Sequence, residues 1–224
     1  AAAWVWLTVP EIETADGWSF RTYVNEIATF VKEYKIALLM LSFFFRFVVI
    51  YGLITYISVL AIREAGLAVV AVGALLTVNG VVKTVASTQV GRLSLVVSPA
   101  LLSLVSFGSI VVGTVLMGAV PTTLALVVGV SIWGVGDGVL APCQKSLLNQ
   151  LAPPEYRGGA MSTALTFQNV GKVVGPAGLG WALVVVGPGP AFVLLGVLHA
   201  GPLLADAYAS PTVTGHTGAE VMES

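Results

Sequence analysis

Long apolar runs alternate with short polar breaks along this chain. A helix needs about 20 predominantly apolar residues to cross the hydrocarbon of a bilayer. Six runs are of that order: 36–62, 67–90, 96–120, 122–148, 159–186 and 191–207. Arg63 and Glu64 close the first, Gly91 and Arg92 the second, and Pro121 follows the third. Pro153-Pro154-Glu155-Tyr156-Arg157 follows the fourth as a loop, and Gly187-Pro188-Gly189-Pro190 reads as a tight turn after the fifth. The connections are short, so consecutive helices are expected to run antiparallel. The pattern therefore predicts an all-α integral membrane protein of six transmembrane helices.

The flanks differ. Residues 1–9 are apolar with Trp4 and Trp6, too short to span, and read equally as the tail of a preceding helix or as a processed end. Residues 10–35 form the most polar stretch. From Ser19 onward Phe20, Tyr23, Ile27, Phe30 and Val31 fall near one stripe, so 1–35 is expected to be a linker ending in an interfacial amphipathic helix. The bundle is then 36–208, and 209–224 a polar, disordered tail. Arg21, Lys32, Lys35, Arg92 and Arg157 fall on one side of the membrane and Arg63 on the other. The basic-rich side is expected to be cytoplasmic, with both termini there and the plasma membrane as location.

Composition agrees with lipid as the solvent. Hydrophobic residues make up 57% of the 224, charged residues only 9%, and mean hydropathy is +0.95. Net charge is −1, with no basic block, so nucleic acid is not expected as a partner. One cysteine, Cys143, and two histidines, His199 and His216, offer no metal-ligand spacing, and no cofactor motif or nucleophile elbow is present. A phosphate loop of the Gly-x-x-x-x-Gly-Lys-Ser/Thr type is absent as well.

Charges inside apolar spans are costly and mark functional candidates. Arg46 lies in the first run, Lys83 in the second, Asp137 and Lys145 in the fourth, and Lys172 in the fifth; the third and sixth have none in their interiors. Helices one, two, four and five are thus expected to face a polar interior, and three and six to face lipid all round. The arrangement repeats every three helices: Arg46 corresponds to Asp137, Lys83 to Lys172, and the third helix to the sixth. Lys83 and Asp137 lie at similar depth and can pair, which leaves Arg46 and Lys172 without a carboxylate in this chain. An anionic solute or a second half would supply one. Each cation also has a plainer reading, bonding carbonyls or snorkelling, and that reading is preferred for Lys145 near its helix end. Asp137 is balanced between a titrating role and a purely structural pair. Asn79, Gln168 and Asn169 either line a pathway or join helices. Gly134/Gly138 and Gly171/Gly175 have the small-xxx-small spacing that lets helices approach closely, and Pro142 and Pro176 permit bending, with hinge motion as a further possibility on top of packing.

Three stretches together resemble the major facilitator superfamily. The first is Gly134-Val135-Gly136-Asp137-Gly138 through Pro142 and on to the loop that starts at Leu151 and ends at Met161. The second is Gly171-Lys172-Val173-Val174-Gly175-Pro176 with Gly178 and Gly180, and the third is Arg46-Phe47-Val48-Val49-Ile50-Tyr51-Gly52 with Tyr56. They look like the tenth, eleventh and seventh helices of that family. The resemblance covers about residues 36–208 and implies one half of a 12-helix bundle, itself a 3+3 inverted repeat. It further implies secondary active transport of a small solute by alternating access, coupled to protons or ions, with no enzymatic step. Asp137 would titrate, while Arg46 and Lys172 would meet an anionic group of the solute or acids of a second six-helix half. Gly91, Arg92, Glu155 and Arg157 would lie in cytoplasmic loops. One departure matters: where the family carries Gly-x-x-x-Asp-Arg-x-Gly-Arg, this chain has Leu95 in place of the Asp and lacks the later basic residues. A non-transporting membrane subunit or a truncated remnant is the alternative this departure favours.

Overall fold

The computed structural model describes residues 34–209, which fold into six α-helices. They are α1 Tyr34–Arg63, α2 Val69–Leu93, α3 Pro99–Ala119, α4 Thr123–Leu151, α5 Arg157–Val186 and α6 Pro188–Ala209, with a 3-10 turn at Pro154–Tyr156 between α4 and α5. The expected linker, amphipathic helix and tail lie outside the described residues. Helices α1 to α5 are each long and apolar enough to cross a membrane, and α6 is apolar over Pro188–Gly201.

Local chemistry sets the boundaries. Ser98 and Thr122 cap α3 and α4, their hydroxyl oxygens accepting from the N–H of Leu101 and of Ala125 at 3.3 Å. Pro99 and Pro188 occupy first helical positions, where a missing N–H costs nothing. The Gly187-Pro188-Gly189-Pro190 segment is therefore shorter as a turn than the sequence suggests. Gly187, at φ +84°, ends α5, and Pro188 already begins α6. Gly91 and Arg92 differ in the same way. They belong to the last turn of α2, because the helical ladder continues to Ser94, whose N–H bonds to the Val90 carbonyl at 2.8 Å. Arg157 opens α5, leaving Glu155 in the 3-10 turn as the loop residue of that group.

Packing follows the threefold period of the sequence. Helix α1 lies along α5 and α6, and α4 lies along α2 and α3, while α3 and α6 pack on each other. Exchanging α1 with α4, α2 with α5 and α3 with α6 reproduces the same set of neighbours, which is the arrangement of a 3+3 repeat. The main core joins Val49, Leu53, Ile57 and Leu60 of α1 to Phe107, Ile110 and Met117 of α3, Trp133 and Leu140 of α4, and Phe192 of α6.

Burial corrects one expectation. Helices α3 and α6 do not face lipid all round: half of the apolar stretch of α3 is buried, and α6 buries Ala191, Phe192, Leu195 and His199. Glycines let α3 sit that close, since a Cβ on Gly113 would lie 2.6 Å from the Gly129 carbonyl oxygen of α4 and one on Gly118 2.6 Å from the Gly189 oxygen of α6. The flanking helices α2 and α5, which carry Lys83 and Lys172, are the most open, with few of their spanning residues buried. A side chain free of charge can be buried in the bundle at no electrostatic cost, whereas the lysines sit on helices with one face uncovered.

Candidate functional site: a shared carboxylate in the middle of the bundle

Asp137 occupies the middle of α4, 14 residues from either end (137 − 123 and 151 − 137). That is about 21 Å along the axis at roughly 1.5 Å per residue. Its carboxylate is buried and shared. Oδ1 accepts from Arg46 Nε at 3.0 Å and Nη2 at 2.5 Å, and Oδ2 pairs with the Lys83 ammonium. Arg46 on α1 is 4% exposed. Its Nη1 donates to Gln144 Oε1 at 3.3 Å, Gln144 Nε2 donates to Ser42 Oγ at 2.9 Å, and Ser42 donates to the Leu39 carbonyl at 2.8 Å. Helices α1, α2 and α4 thus meet in one continuous polar network. A buried guanidinium is tolerated only when its donors are used, and here three of its nitrogens are.

The expectation that Arg46 lacks a carboxylate in this chain is therefore corrected. Depth alone pointed to Lys83 as the partner of Asp137, but a carboxylate has two oxygens and can hold a cation on each. Three buried polar residues were passed over by sequence reasoning, and two of them belong to the site. Gln144 lies two turns beyond Asp137 on the same face of α4, and Ser42 one turn before Arg46, so helical spacing from the two charges was the available signal. His199 is the third. It is fully buried on α6, its ring 4.9 Å from that of Phe107, and neither nitrogen has a hydrogen-bond partner among the described residues. A histidine inside an apolar run is itself a flag, and considering it only as a metal ligand hid it.

Lys172 stands apart from this network. It lies in the middle of α5, half-buried, with Nζ donating to Asn169 Oδ1 at 3.0 Å. Nζ is 5.3 Å from the ring centre of Phe47 and 5.5 Å from that of Tyr51, two α1 rings stacked 6.0 Å apart at 24°. Arg46 touches the Phe47 ring as well, at 5.2 Å. Among the described residues no carboxylate forms an ion pair with Lys172. Pro176, four residues on, has no N–H, so the Lys172 carbonyl is also left without its usual helical donor. Pro142 does the same to the Gly138 carbonyl in α4.

Of the remaining candidates, Asn79 joins α2 to α4, its Nδ2 donating to the Val130 carbonyl at 3.0 Å, and Gln168 is buried on the inner face of α5. Lys145 is exposed near the end of α4. Gly134 and Gly138 hold α4 against Asn79 and Lys83 of α2. Gly171 and Gly175 hold α5 against Phe44 and Val48 of α1. At Gly138 and at Gly175 an added Cβ would run into a carbonyl oxygen, of Lys83 and of Val48 respectively. No group of three or more metal-ligating side chains occurs among the described residues.

Comparison with known proteins gives this geometry a context. The fold is similar to the in meso crystal structure of the POT family transporter PepTSo, with a TM-score of 0.64 at 14% identity. The match covers 77% of this chain and 36% of that one, so the chain spans about a third of the length of the transporter it matches. At that identity the likeness speaks for the fold alone. No curated protein matches the sequence. The family model described as Major Facilitator Superfamily matches residues 2–205, nearly the whole length, and the chain belongs to that superfamily of membrane transporters.

Proposed function

We propose that this chain is the C-terminal six-helix half of a secondary transporter, which moves a small solute by alternating access against a second six-helix bundle. The observation that carries this reading is the Arg46–Asp137–Lys83 cluster, held at mid-span between α1, α4 and the open helix α2. A purely structural bundle gains nothing from three charges at that depth, where each costs about 3 kcal/mol or more to insert. Asp137 is the proton- or ion-coupling group: neutralising it releases both cations at once and frees α1 and α2 to separate from α4. Gln168, Asn79, Asn169 and Lys172 belong to the pathway, and the surplus of cations over carboxylates in the spans favours an anionic solute.

A second bundle is supported by the open face of α2. Gly73, Thr77, Gly80, Thr84, Ser87 and Gly91 recur at alternating four- and three-residue steps, and all are exposed. Small residues at that spacing are what membrane helices use for close contact. The excess of basic side chains on one side of the bundle supports cytoplasmic termini in a plasma-membrane protein.

The test is a flux measurement on the native complex reconstituted in liposomes, with solute-evoked current read across a solute panel. At least one solute should evoke a current, and Asp137→Asn should abolish its proton or ion dependence. Currents absent across the panel, or insensitive to Asp137→Asn, would contradict the reading. The alternative, a non-transporting membrane subunit, keeps one observation in its favour. The 94–98 turn carries no charge, and Leu95 is 86% exposed where the family places its Asp.

A further inference from the structure

Each half of the bundle sets a lysine beside a glycine-mediated helix crossing, and only one of the two lysines meets a carboxylate. In the first, α4 meets α2 through Gly134 and Gly138 against Asn79 and Lys83. In the second, α1 meets α5 through Phe44 and Val48 against Gly171 and Gly175. In register with these crossings, Phe47 precedes Val48 on α1 as Asp137 precedes Gly138 on α4. Lys83 reaches Asp137, and Lys172, entering from about one turn away, reaches Phe47 and Tyr51. The first lysine is neutralised by a carboxylate. The second finds two aromatic faces, which attract a cation by about 0.5–2 kcal/mol without cancelling its charge.

We propose that Lys172, with Asn169 and the Phe47–Tyr51 stack, is the seat of a solute carboxylate, the anion this niche lacks. The inference rests on the transporter reading and names its substrate class: a monoanionic organic acid whose apolar body lies on the rings while its carboxylate takes the free donors of Lys172. Arg46 is excluded as that contact, because it is buried and committed to Asp137 and Gln144. A lipid phosphate is excluded by depth. Lys172 is 15 residues from the start of α5 and 14 from its end (172 − 157 and 186 − 172), about 21 Å along the helix at roughly 1.5 Å per residue. Inorganic anions would satisfy the charge but leave the half-exposed rings uncovered.

Benzoate is the probe, with benzyl alcohol and benzylamine as neutral and cationic controls of the same shape, on the native complex in nanodiscs. Benzoate should raise the thermal midpoint and bind saturably, and the controls should do neither. Lys172→Gln should weaken benzoate binding at least tenfold, the loss expected for one charge-assisted hydrogen bond, while Lys172→Arg retains it. Phe47→Leu, which leaves every charge in place, should weaken it a few-fold. Unchanged binding in Lys172→Gln, a preference for either control, or no benzoate binding at roughly 10 mM overturns the carboxylate seat. The transporter reading fails separately. Currents evoked by a neutral or cationic solute and unaffected by Lys172→Gln would sink the seat and keep the transporter, whereas benzoate binding without any solute-evoked current would do the reverse.

Discussion

A guanidinium in the middle of a bilayer stays there only if something holds it, and Asp137 does so for Arg46 while also holding Lys83. Removing the acid is therefore worse than removing either base. Asp137→Asn leaves Arg46 buried without a counter-charge, and breaking a buried pair in this way costs about 3–5 kcal/mol. The double change Arg46→Met with Asp137→Leu removes both buried charges and should recover much of that loss. Unfolding in mixed detergent compares the three proteins, and equal stability of Asp137→Asn and wild type would contradict the pairing. His199→Phe keeps the ring against Phe107 and deletes two unpartnered nitrogens, so it should be neutral or mildly stabilising. The charges themselves were legible in the sequence, because a charge in an apolar run is conspicuous. Their pairing was not: depth ranks partners along one axis, whereas Arg46 and Asp137 meet through the lateral position of α1 beside α4.

Helices as elements were easier to read than their ends. Runs of apolar residues located all six, since hydropathy responds to the thickness of the bilayer. Boundaries drifted where the backbone kept its hydrogen bonds past a polar residue, as at Gly91 and Arg92 in α2, or began them at a proline, as at Pro188 in α6. The exposure of α3 was misjudged for a related reason. Absence of charge permits a lipid-facing helix but equally permits a buried one, and the Gly113 and Gly118 contacts decided for burial. Glycine substitutions test these crossings. Gly138→Ala and Gly175→Ala place a methyl against a carbonyl oxygen of the neighbouring helix and should each cost about 1–3 kcal/mol, as overpacking does. Gly178→Ala, with open space around its Cβ, should be neutral or slightly stabilising. The same unfolding titrations order the three, and a Gly178→Ala loss equal to that of Gly175→Ala would contradict the crossing of α1 and α5.

At the scale of the whole molecule, the distribution of burial makes sense only with a neighbour. Helices α1, α3 and α4 are at least half buried, while α2 and α5 leave a face open and carry polar and small residues on it. Gly80→Ile fills that face without touching the six-helix core, since no atom lies within 4 Å of a Cβ built there. It should leave unfolding of the bundle unchanged and weaken association with a second bundle, as read by crosslinking in the membrane. The 3+3 repeat was legible in the sequence from which helices carry charges and which do not. The inequality of its two lysine niches was not, because it depends on which residue of α1 faces α5.

The central claim is that this bundle works against another one across a shared pathway. The most direct measurement is the mass of the native protein purified from its own membrane in mild detergent. A particle containing two six-helix bundles, in one chain or two, is the predicted result, and a lone 23.1 kDa species would contradict the account.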